Sequence, residues 1–229
     1  MVVVTNPVEL GVEIFGRHLD RHRVHGMGAQ QDSLRFARAI ANSVGVRRDR
    51  VQAWVLGEHG EAQVPLWSSV RLLGECSEQE RQRIDGLCAG RRLGHSASEV
   101  EPHKQRMFEL LAGERIRQAF DTVEASPPDL RAMLEPFITA HCLHSTPNAT
   151  ANATLDVIRA LRSAHESVVG AQVRLEGEVY GLSTPIGVPV VADTGGWSRV
   201  VCPPLSEGEA GRLAAVAEAI QANLAQWTN

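Results

Sequence analysis

The 229 residues carry a formal net charge of −4 and are 43% hydrophobic. That is enough apolar material for one large core or two small ones, and the acidic balance argues against nucleic acid or an anionic membrane as the main partner. No run approaches the ~20 apolar residues needed to cross a bilayer. The opening Met1–Pro7 also lacks the basic flank of a signal peptide, so a cytoplasmic protein is expected. The cysteines Cys76, Cys88, Cys142 and Cys202 are scattered without a C-x-x-C pair and read as reduced, mostly buried thiols. With no secretory signal, the sequons at Asn148 and Asn152 read as chance matches.

In chain order, an apolar strand at the start gives way to Asn6 and Pro7, which read as an N-cap and first helical position. Val8, Val12, Phe15 and Leu19 then recur at helical spacing, predicting one buried face. A brief strand at Val24-His25-Gly26 leads into the glycine turn Gly26-Met27-Gly28 and a helix running through Asn42, closed near Gly45. Arg47 to Arg50 form a charged loop, and Val51 to Leu56 a strand that presents Gly57-Glu58-His59-Gly60-Glu61 on a turn.

Beyond about Leu73, Ser77-Glu78-Gln79-Glu80 is a capping box opening a helix toward Gly90. A polar link around Gly94-His95-Ser96 precedes a charged helical region from Pro102 to about Thr122, a break at Ser126-Pro127-Pro128, and a helix from Asp129 to His144. Ser145 to Asn152 then lead into a helix from Thr154 to about Ala164. Val168–Glu176 and Ile186–Ala192 read as strands, with Thr194-Gly195-Gly196 turning the chain into Trp197–Cys202. A second capping box at Ser206–Glu209 opens an amphipathic helix with Leu213, Val216, Ile220 and Leu224 inward. The whole reads as a single α+β domain, 1–229, with helices against a twisted antiparallel sheet.

The residues with chemistry fall in two places. His59 sits on a glycine-flanked turn after a strand, where an imidazole can exchange a proton near neutral pH. Asp32 and Arg35, three apart, share one face of a helix's first turn. The carboxylate could hold the imidazolium of His59 while the guanidinium fork binds a substrate carboxylate. The bland alternative is a first-turn acid favouring the helix dipole beside a surface arginine. His141, Cys142 and His144 invite a metal reading, but no third and fourth ligands stand at recognisable spacing. No metal is expected.

Four stretches in order carry a resemblance: Val2–Glu9, then Gly26-Met27-Gly28 through Arg35, then Gly57–Glu61 with Val64-Pro65-Leu66, and finally Leu175–Glu178 with Ile186–Val191. Together they resemble the NAD-dependent L-lactate/malate dehydrogenase family, in its C-terminal, substrate-binding half. The resemblance implies roles by position. His59 matches the proton donor and acceptor, Asp32 its orienting carboxylate, Arg35 the clamp on the substrate carboxylate, and Asn6 the asparagine beside the reacting carbon. Thr146 matches a pocket residue. It also implies reversible hydride transfer between a nicotinamide and a 2-hydroxy acid, and a homo-oligomer.

Departures from the family are equally plain. No G-x-G-x-x-G follows a strand, and Gly11 and Gly16 lie inside a helical pattern. Residues 1–7 would be the remnant of the last strand of a nucleotide-binding domain that is otherwise absent, as is the family's mobile loop with its second arginine. Residues ~73–148 form a divergent helical stretch, either a lid or a cover for the surface that half would bury. Gln31 stands where the family has leucine, and Ala62 where a hydroxyl is common. Three readings follow: a dehydrogenase half using NAD held by a separate nucleotide-binding chain, a repurposed cofactor-independent enzyme acting on a 2-oxo acid or similar carboxylate, or a non-catalytic pseudoenzyme. The first predicts an exposed apolar docking face.

Overall fold

A computed structural model describes residues 1–91, 93–144 and 146–227. Ser145, in the expected lead to the helix after it, falls outside them. The strands are β1 (Val2–Val3), β2 (His25–Gly26), β3 (Val51–Gly57), β4 (Gln63–Leu72), β5 (Ser167–Arg174), β6 (Pro185–Asp193) and β7 (Gly196–Val200). The helices are α1 (Val8–His18), α2 (Gly28–Val44), α3 (Glu78–Cys88), α4 (Ala97–Ala112), α5 (Ile116–Glu124), α6 (Pro128–Leu143), α7 (Pro147–Arg162) and α8 (Glu207–Trp227). This is the expected α+β architecture, with a mostly antiparallel sheet and added helices in the middle of the chain.

The sheet runs β1-β2-β5-β6-β3-β4, with β7 pairing β6. Among the described residues, only β1 and β2 pair in parallel, Val2 facing His25. Side chains alternate across strands, and β3 divides accordingly: Val51, Ala53 and Val55 join the core under α2, whereas Leu56 joins the one that includes Leu213 and Ile220 of α8. Within α2, Phe36 and Ile40 are fully buried, each worth roughly 1.5–3 kcal/mol of apolar burial. A further cluster joins α4, α5 and α6 through Met107, Leu110, Val123 and Leu134.

The start of α2 is pinned to the sheet by polar contacts. The Ala29 N–H donates to Gln172 Oε1 at 3.0 Å, and the Gly170 N–H to Gln30 Oε1 at 2.8 Å. A side chain at Gly170 would come within 2.9 Å of the Ala29 backbone, so glycine there allows the helix start to touch β5.

Several sequence expectations need correction. Asn6 is not a cap: Pro7 occupies the N-cap of α1 with no side-chain hydrogen bond, and the helix begins at Val8. The inward face of α1 carries Val8, Glu9, Val12, Glu13 and Gly16, leaving Phe15 and Leu19 exposed. Apolar spacing misled here because buried carboxylates take inward positions and find partners: Glu13 pairs with Arg17 at 2.8 Å and Arg174 at 3.4 Å. A capping box at Ser96 and Glu99 starts α4 before Pro102, and Glu114, in the left-handed region, separates it from α5. Pro147 opens α7 seven residues ahead of Thr154, because proline suits a first turn that needs no N–H donor. The cysteines are half-buried, with Cys142 exposed, rather than mostly buried. The capping boxes at Ser77 and Ser206 form as expected, and Gly45 closes α2 in the left-handed conformation.

Candidate active site

Both chemical stretches converge. The second turn of α2, rather than its first, lifts Asp32 toward the β3–β4 turn that carries His59, because the helix already begins at Gly28, and His59 Nδ1 lies 2.7 Å from Asp32 Oδ2. Arg35 completes the row, with Nη1 on Asp32 Oδ1 at 3.1 Å and Nη2 on Thr146 Oγ1 at 3.2 Å. Asp32 is 2% exposed, so its charge meets its partners with little solvent screening. A carboxylate only accepts hydrogen bonds, which puts a proton on Nδ1 and leaves Nε2 to receive one from a ligand. Gly28 makes the packing possible: a Cβ there would fall inside the imidazole of His59.

One participant escaped the sequence reading. Glu9, on the inward face of α1 and 5% exposed, accepts the His59 backbone N–H at 2.8 Å. Burial, its largest influence, pushes its carboxyl pKa up against that hydrogen bond. For His59, burial is the largest single influence and favours the neutral ring, but the charge and hydrogen bond of Asp32, with the charge of Glu9, outweigh it and hold the pKa above the ordinary value. The signal available in the sequence was an acid beside Val8 on a helix face packed against the sheet.

Asn6, Asp32, Arg35, His59 and Thr146 all line one cavity of about 490 Å³, within the range of small-molecule sites. Gln31 joins them, its amide donating to Thr146 Oγ1 at 3.3 Å and Thr150 Oγ1 at 3.4 Å. The remaining wall comes mainly from α4 and α6, within the stretch ~73–148 that the sequence offered as a lid or a cover. Nothing in the spacing of Val100, Lys104, Met133 or Phe137 marks them, because they reach the cavity only through the packing of helices distant in sequence. Among the described residues, no group of three or more His, Cys, Asp or Glu could hold a metal ion. Among the same residues, no helix is long and apolar enough to cross a membrane.

Residues 30–83, which include Asp32, Arg35 and His59, match the family model described as lactate/malate dehydrogenase, alpha/beta C-terminal domain. Over that stretch the chain is similar to lactate/malate dehydrogenases. It is 26% identical over 203 residues to an L-lactate dehydrogenase of Mycoplasma mycoides, covering 87% of this chain and 53% of that protein. The L-lactate dehydrogenase B chain of Anguilla rostrata is 38% identical over 76 residues, 32% of this chain and 23% of that one. Malate dehydrogenases from Aeropyrum pernix and Salinibacter ruber share its fold. Their TM-scores are 0.72 and 0.73, at 20% and 22% identity, over 98% and 99% of this chain and 63% of each of theirs. The chain thus spans about half the length of the Mycoplasma protein.

For the nicotinamide cofactor of the family, the fit is partial. Val4, Asn6 and Met27 give the cavity an apolar rim with one amide, but the chain has no strand–G-x-G-x-x-G–helix unit to cradle a diphosphate.

Proposed function

We propose that this chain is the substrate-binding and proton-transferring half of a 2-hydroxy acid dehydrogenase. The observation that carries the proposal is the row Arg35–Asp32–His59 in one cavity, at 3.1 and 2.7 Å. In this reading the Arg35 fork holds the ligand carboxylate, with Thr146 and Asn6 beside it. His59 Nε2 takes the hydroxyl proton as the alcohol becomes a carbonyl, and Asp32 steadies the imidazolium that results. A nicotinamide, held by a separate nucleotide-binding chain, supplies the hydride chemistry. The exposed Ile14 and Phe15 of α1, with Leu19 at its C-cap, support contact with that chain or with a second copy of this one.

Titration with oxamate, a 2-oxo acid mimic, tests the reading. Saturable binding that weakens at least about tenfold in Arg35→Gln is expected, since a charge-assisted bidentate contact contributes that much or more. NADH oxidation with a panel of 2-oxo acids, assayed together with a nucleotide-binding chain, then reads turnover, which should vanish in His59→Ala. Absence of oxamate binding, or binding indifferent to Arg35, overturns the proposal. Binding with His59-dependent chemistry that needs no NADH would favour a cofactor-independent enzyme instead.

A further inference from the structure

The cavity is much larger than its polar end requires. A three-carbon hydroxy acid, with the volume of roughly four water molecules, fills a minor part of its 490 Å³. The rest is walled by α4 and α6, which lie outside residues 30–83. Most of that wall is apolar: Val100 and Met133 are buried within it, beside Pro136, Phe137 and Ala140.

The wall is also fixed in place. Phe108 meets the Phe137 ring edge-on at 5.6 Å and 75°, and Lys104 Nζ lies 6.0 Å from the ring centre. Lys104 is the cation that α4 contributes to this wall, and two carboxylates hold it: Glu61 at 2.6 Å and Glu101 at 2.9 Å. The Glu61 contact straps the His59 turn to α4. With both carboxylates on one ammonium, this side of the cavity presents no uncompensated positive charge. A second carboxylate on the ligand would face Glu61 and Glu101 instead.

We infer that the cavity takes a 2-hydroxy or 2-oxo acid whose side chain is bulky and apolar, branched or aromatic, packed against Phe137, Val100 and Met133, and that it disfavours dicarboxylates. The inference rests on the proposed function for the polar end of the same cavity. A pre-formed aromatic wall favours such a side chain because its burial removes apolar surface from water at no cost in rearrangement.

The test is ligand-observed NMR titration of the full chain with L-phenyllactate, L-lactate and L-malate, each repeated in Arg35→Gln. Phenyllactate should bind at least about tenfold tighter than either competitor, and all binding should weaken in Arg35→Gln. In Ala140→Leu, which narrows the wall, the ratio of phenyllactate to lactate affinity should fall toward one. Equal or tighter binding of lactate or malate by the unaltered chain overturns the inference and leaves the proposed function standing, provided Arg35 matters. A phenyllactate preference that survives Ala140→Leu in a folded protein also overturns it, because the ring would then lie elsewhere. No binding by any of the three acids overturns both.

Discussion

Among the described residues, two histidine–aspartate pairs have nearly the same geometry in two different settings. His59 Nδ1 lies 2.7 Å from Asp32, and His95 Nδ1 lies 2.6 Å from Asp129. Both aspartates are buried, at 2% and 1% exposure. The first pair stands at the edge of the sheet, in a cavity, with Arg35 and Glu9 around it. The second joins the α3–α4 link to the first turn of α6, where Asp129 also accepts the His95 backbone N–H at 2.9 Å. There it fastens a loop to a helix. A short contact between imidazole and carboxylate is therefore not a sign of catalysis by itself. The distinguishing features are a cavity for the second ring nitrogen and a neighbouring cation for the ligand.

The sharpest way to break this comparison is to remove each imidazole in turn. His59→Gln should lower proton-coupled turnover by about 10²–10⁴-fold, while His95→Gln should leave turnover within about twofold. Parallel losses in steady-state assays would mean that the two pairs are not functionally distinct.

A third histidine extends the contrast. His25 is buried with, among the described residues, no hydrogen-bond partner for either ring nitrogen, and burial lowers its pKa to about 4. Its folded pKa lies below its unfolded value, so the unfolded chain binds the extra proton. The corresponding stability is complete above the ordinary histidine pKa and is lost as pH falls toward 4. The loss amounts to roughly 3 kcal/mol. Urea unfolding at pH 7 and pH 4 should show a smaller difference in His25→Gln than in the unaltered chain.

For the second pair the expected effect is on stability alone. Asp129→Asn should destabilise the fold by about 1–3 kcal/mol, because a buried acceptor of two hydrogen bonds is altered, with no change in oxamate affinity. A loss of affinity would tie the α4–α6 wall to the site more tightly than its packing suggests.

The smallest effect concerns Glu9. Glu9→Gln keeps an oxygen for the His59 backbone N–H and removes a negative charge, so the imidazole pKa should move down from its raised position. Histidine ring resonances followed by NMR across pH would show it; an unmoved pKa would confine Glu9 to holding the turn.

Much of the fold was legible in local chemistry. Capping boxes at Ser77 and Ser206, the left-handed Gly45 and the continuous apolar runs of β5 and β6 are set by residues a few positions apart, and such signals survive whatever the chain does elsewhere. The α1 face was misread for the opposite reason, since Glu9 and Glu13 are satisfied by His59 and Arg174, far away in sequence.

The sequence by itself determined the elements, their order, and the residue types able to carry a proton and a carboxylate: His59, Asp32 and Arg35. Tertiary structure decided which of them meet. It set Glu9 under the His59 turn, made a fastening of His95 and Asp129, and brought Phe137 and Lys104 to the cavity wall. Capping and periodicity act over one or two turns of chain, whereas burial, hydrogen-bond satisfaction and cavity shape belong to residues brought together only by packing.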